Sequence, residues 1–136
     1  SALLIRGVEG GIVPSLRQAG VCFNYQQMGE EQAFDIDPTA IDIQQHLRSV
    51  PLPEDLPTNN RPGDDIAVAV DVPATAKAAA QAGLAAIEGA KGPTYDSLVF
   101  SAALVLWHLG RETSLKAAAD RVRAALDTGA VARRMR

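Results

Sequence analysis

The chain has 136 residues and a net charge of −3, with 47% hydrophobic, 21% charged and only 4% aromatic residues. This aliphatic, alanine-rich balance fits one globular domain with a sizeable core and excludes a disordered or fibrous chain. No apolar run nears the roughly 20 residues of a membrane span, and nothing at the N-terminus has the layout of a secretion signal. Cys22 stands alone, which excludes an internal disulfide or a thiolate metal cluster, so a cytoplasmic protein is expected.

In chain order, Ala2–Arg6 is a short apolar run rich in branched residues that stops at Gly7, as a buried strand would. The chain opens directly inside this run, without a polar lead-in, and the expectation is a piece of something longer. Gly7-Val8-Glu9-Gly10-Gly11 follows as a turn, with a further break at Pro14-Ser15. Val21–Gln26 predicts a second strand, with Cys22, Asn24 and Gln26 facing opposite to Val21, Phe23 and Tyr25. In that run Cys22 has the surroundings of a small buried hydrophobe, not of a nucleophile. Ala33–Ile36 predicts a third strand, halted by Asp37-Pro38 because the residue before proline stays extended. Pro38–Leu47 predicts a short helix capped by Asp37, with Ile41, Ile43 and Leu47 as its apolar side. These strands and the short helix fill residues 1–50. Residues 51–65 form a loop, punctuated by Pro51, Pro53, Pro57 and Pro62, and Ile66–Val70 fits one more strand.

The second half, 66–136, is chiefly helical, with three helices. The first runs from about Pro73 to Glu88, with Asp71 at its start and Gly89 as a left-handed stop; Gly83 inside it suggests a close packing contact. The second begins at Pro93 and ends at Gly110, and its side chains are apolar on every side, which predicts burial all round. His108 near its end reads as a satisfied structural residue. The third, from about Ser114 to Leu126, is capped by Thr113 or Ser114 and is amphipathic; a turn at Asp127-Thr128-Gly129 leads to a basic tail.

Charge is unevenly spread. Residues 1–65 carry four arginines against ten acids, −6, and residues 66–136 carry nine basic against six acidic residues, +3. Arg121, Arg123, Arg133, Arg134 and Arg136 fit best the negative dipole ends of helices; the alternative is a surface for phosphates or nucleic acid. Catalytic chemistry is sparse: there is no zinc spacing, no phosphate-cradling G-x-x-x-x-G-K-[ST], and neither His46 nor His108 has a nucleophile near it in sequence. The stretch Gly7–Ser15, directly after the first strand, is where an open α/β sheet would bind a ligand, with Arg6 and Arg17 supplying charge.

Several segments together resemble the C-terminal end of the anthranilate phosphoribosyltransferases, the glycosyl transferase family 3 proteins. They are Leu3-Leu4-Ile5-Arg6-Gly7, Phe34-Asp35-Ile36-Asp37-Pro38, Gly89-Ala90-Lys91-Gly92-Pro93 with Asp96, the apolar helix to Gly110, Ser114-Leu115-Lys116 and Asp127-Thr128-Gly129. The resemblance runs in order over nearly the whole chain. It implies the fold class α/β: residues 1–136 as the C-terminal part of a phosphoribosyltransferase/nucleoside-phosphorylase-like domain, a β-rich first half followed by three helices. Taken as a whole domain instead, the same elements would suggest α+β.

The departures from the family are informative. Where the family carries an Asp-Glu pair for the magnesium of phosphoribosyl pyrophosphate, this chain has Gly10-Gly11-Ile12-Val13-Pro14, and Glu9 is the only acid nearby. The family's His stands as Arg6 here, and the Asn of its buried helix as Ser101. Its remaining pyrophosphate motifs lie upstream of this segment. The resemblance therefore implies no catalytic residue, no metal ligand and no cofactor in this chain, with magnesium only if upstream residues supply the ligands. The pattern resembles a divergent branch of the fold associated with nucleic-acid binding. Arg6, Gly7, Glu9, Gly10, Gly11, Ser15 and Arg17 are the candidates for lining a ligand cleft. The expected partners are the N-terminal portion of the same protein, with nucleic acid or a phosphoribosyl ligand, no membrane, and a homodimeric parent. An active glycosyl or phosphoribosyl transferase is the alternative for the parent, and an inactive structural piece, whose edge strand at Ser1–Arg6 would seek a partner, is the third.

Overall fold

The computed structural model describes residues 1–5, 13–26, 29–47 and 72–135. The three apolar runs of the first half lie side by side: β1 (Ala2–Ile5), β2 (Gly20–Tyr25) and β3 (Gln32–Ile36) form an antiparallel sheet in the order β1-β2-β3. The register sets Ile5 and Phe34 opposite Cys22, and Leu3 opposite Asn24. Because side chains alternate across a strand, these residues share one face. The two sets of side chains in Val21–Gln26 face opposite sides as expected, and Cys22 at 0% exposure and Asn24 at 8% identify theirs as the inner face, which the alternation alone does not decide. Burial pushes the Cys22 thiol up from its ordinary value, consistent with a small core hydrophobe and not a reactive thiolate. The outer face carries Leu4, Val21 and Phe23, and Leu4 is 55% exposed.

The helix expected from Pro38 to Leu47 is a single 3-10 turn, Pro38–Ile41. Asp37 caps it as expected, its Oδ1 accepting from the Thr39 amide at 2.8 Å and the Thr39 hydroxyl at 2.7 Å. That pairing holds the Asp37 carboxyl below its ordinary value. The turn ends at once because Asp42 adopts φ 60°, a left-handed conformation that breaks a helix. Ile41 and Ile43 are buried while Leu47 stands in solvent, so the expected apolar stripe is only partly used.

Among the described residues four helices follow: α1 (Val72–Ile87), α2 (Pro93–His108), α3 (Leu115–Asp127) and α4 (Ala130–Met135). Gly89 at φ 96° ends α1, and Gly110 at φ 64° ends the turn after α2, where a Cβ would be strained. Ser114 caps α3, its hydroxyl accepting from the Ala117 amide at 3.1 Å. The fold is thus mixed α/β, a three-stranded antiparallel sheet followed by helices.

Three further expectations are corrected. First, α2 is not buried all round. Val99, Phe100, Ala103 and Leu104 have no exposure, but Val105 is 51% and Leu109 56% exposed; α1, α3 and the sheet cover one side of the cylinder and leave the other. Second, Gly83 marks no close contact among the described residues, since a Cβ built there meets none of their atoms within 4 Å. Third, the basic tail begins as a helix, α4, making a fourth among the described residues where three were expected; from it Arg133 reaches back and donates to the carbonyl of Thr128, the residue that ends α3, at 2.8 Å. The expected strand at Ile66–Val70, the loop at 51–65 and the cap at Asp71 lie outside the described residues.

Phe100 and Leu104 of α2 meet the Cys22–Ile36 side of the sheet and Leu16 in one core. On α3 the small side chains Ala118 and Ala119, both fully buried, let that helix approach α2 closely. At the edge of this core Phe34 and Trp107 pack edge to face, ring centroids 5.0 Å apart. The helical layer is pinned to the 3-10 turn by Lys116, which pairs with Asp42 at 3.0 Å and with Asp120 at 2.8 Å. Arg123 reinforces it by donating to the Ile41 carbonyl.

Candidate functional site

Of the seven cleft candidates, Arg6, Gly7, Glu9, Gly10 and Gly11 lie outside the described residues; Ser15 and Arg17 lie within them. Pro14, Ser15 and Leu16 are buried, and the chain turns outward immediately after them. Ser15 is 6% exposed, and its hydroxyl accepts the Arg17 amide at 3.1 Å, a local side-chain bond that fixes the bend. Arg17 is therefore presented on the surface by a turn anchored in the core. Beside it, Pro14, Ser15, Gln18, Gly20, Ile36 and Phe100 line a crevice too narrow to admit a water molecule.

Two polar clusters join elements that sequence reasoning treats separately. In the first, the Asn24 Oδ1 on β2 receives His108 Nδ1 at 2.5 Å and Gln26 Nε2 at 3.4 Å. Two donors converging on one atom fit the amide oxygen there and place the imidazole proton on Nδ1. Gln26 Nε2 also donates to the His108 carbonyl at 3.0 Å, satisfying an acceptor left over at the end of α2. His108 is thus tied to β2 through both its ring and its carbonyl.

In the second cluster, Lys91 lies 3.9 Å above the centroid of the Tyr95 ring and donates to the Tyr95 hydroxyl at 2.7 Å. Lys91 and the Tyr95 hydroxyl both donate to Asp127, the latter at 2.7 Å. The start of α2 is thereby closed onto the end of α3. Asp127 is held below its ordinary value, first by Lys91 and then by Tyr95. Lys91 is raised, chiefly by Asp127, and burial raises Tyr95. A third tie runs from Gln45 Nε2 to Asp96 at 2.5 Å in the first turn of α2. Sequence reading did not assemble any of these clusters. Lys91 and Tyr95, four residues apart at a helix start, were the only local signal.

The arginines of the second half divide by use. Arg121 pairs with Glu112 at 2.7 Å, Arg123 with Asp120 at 3.1 Å, and Arg133 donates to the Thr128 carbonyl at the end of α3. Arg111 and Arg134 are exposed and make no side-chain ion pair or hydrogen bond among the described residues. Arg136 lies outside them. Among the described residues no three His, Cys, Asp or Glu side chains gather as a metal site would require, and no helix is long and apolar enough to cross a membrane.

Neither a protein-family model nor a curated protein matches this chain by sequence.

Proposed function

We propose that this chain corresponds to the C-terminal part of a divergent phosphoribosyltransferase-like α/β domain, and that it serves the parent protein as a non-catalytic wall of a cleft for nucleic acid or another phosphate-rich ligand. The observation that carries the proposal is the turn at Ser15–Arg17. A buried serine anchors it, it presents a guanidinium at the surface, and it follows the glycine-rich stretch where the resemblance puts the ligand. A guanidinium suits phosphate because its donors form a planar fork that stays charged at all working pH values. Arg111 and Arg134 are exposed positive charges elsewhere on the surface. The −6 balance of residues 1–65 argues for few phosphate contacts and hence a shallow salt dependence.

The test is fluorescence anisotropy of a labelled single-stranded oligonucleotide titrated with the full chain at low and at physiological salt. Magnesium phosphoribosyl pyrophosphate serves as competitor. The expected result is salt-weakened binding that the competitor leaves unchanged. In the Arg17→Ala variant the slope of log affinity against log salt should fall by about 0.7, the loss of one single-strand phosphate contact. No binding at low salt would overturn the nucleic-acid reading, and displacement by the competitor would favour a glycosyl or phosphoribosyl transferase.

A further inference from the structure

We draw no further inference here: the strongest candidate, the exposed apolar outer face of the β-sheet around Leu4, Val21 and Phe23 beside the edge strand β1, is an unpartnered surface, and nothing in the structure shows what covers it.

Discussion

Helices α1 and α2 have the same length, 16 residues, and neither has a polar face wide enough to mark a solvent side, yet they sit in opposite environments. In α2, Tyr95, Val99, Phe100, Ala103 and Leu104 are buried; in α1 only Ala86 is. The difference lies in bulk. Eight of the α1 residues are alanine, which has the highest helix propensity and little area to gain from burial. The α2 side chains are large and branched or aromatic; their propensity is ordinary and their transfer from water is worth about 1.5–3 kcal/mol each. One helix is held by its backbone and the other by its neighbours. An apolar sequence therefore implies burial only when its side chains are large enough for burial to matter.

The widest gap between the two helices should open when α2 loses bulk. Phe100 has no exposure and sits where the sheet, Leu16 and α2 converge, so Phe100→Ala leaves a cavity that a two-layer fold closes poorly. The expected cost is about 3–5 kcal/mol, read from urea or thermal unfolding by circular dichroism. A loss below about 1 kcal/mol would mean that the core is loosely packed and that α2 resembles α1 after all.

Next in size is the polar bolt between α2 and the sheet. Asn24 is 8% exposed and accepts the His108 Nδ1 proton. Asn24→Ala removes the acceptor and leaves that donor without a protein partner, for an expected cost of about 1–3 kcal/mol. Pairing the change with His108→Leu in a double-mutant cycle checks the cause. If the two losses simply add, the bond contributes nothing and the Asn24 effect is one of packing.

On the α1 side the expected change is a gain. Gly83 is helical, and a Cβ added there meets no atom of the described residues within 4 Å, so Gly83→Ala relieves backbone entropy without a steric cost among them. Stability should rise by about 0.5–1 kcal/mol. A fall in melting temperature instead would show that α1 is packed at this position and would undo the contrast with α2.

The same contrast explains what could be read from the residues alone. Strand β2 was legible because Cys22 and Asn24 alternate with Val21, Phe23 and Tyr25 at period 2, and α2 was legible at both ends because Pro93 and Gly110 act through local backbone geometry. Which side of α2 meets water was not legible, since Val105 and Leu104 are chemically alike and only the placement of α1, α3 and the sheet separates them. The 3-10 turn was overextended because a left-handed Asp42 has no strong sequence mark. Helix α4 was missed because six residues with two arginines carry no usable period. At the candidate site, Ser15 and Arg17 were picked from their position after a strand. The Asn24–His108 and Tyr95–Asp127 bonds span 84 and 32 residues, and no local pattern announces them.

The smallest expected effect belongs to the Lys91–Tyr95–Asp127 cluster, where two of the three side chains are largely in water, 61% and 46% exposed. Solvent and salt screen such pairs, so the stabilisation is slight at neutral pH and should shrink further in high salt. Its pH dependence is nevertheless distinctive. The folded-state value of Asp127 is lowered, so its contribution is present above the ordinary carboxylate value and is lost as pH falls through the folded one. Lys91 is raised, so its contribution is present below the ordinary amine value and is lost only as pH rises through the folded one. Asp37 and Asp120 are lowered as well and steepen the acid limb of any stability profile. Subtracting the profile of Asp127→Asn from that of the parent removes those shared terms. The difference should be flat from pH 8 to 6 and should vanish as the solution is made acidic below about pH 4, near the ordinary carboxylate range. A difference that persists unchanged into acid would mean that the charge of Asp127 contributes nothing to the pairing. The closure of α2 on α3 would then rest on the buried tyrosine, making that corner a product of burial like the rest of α2.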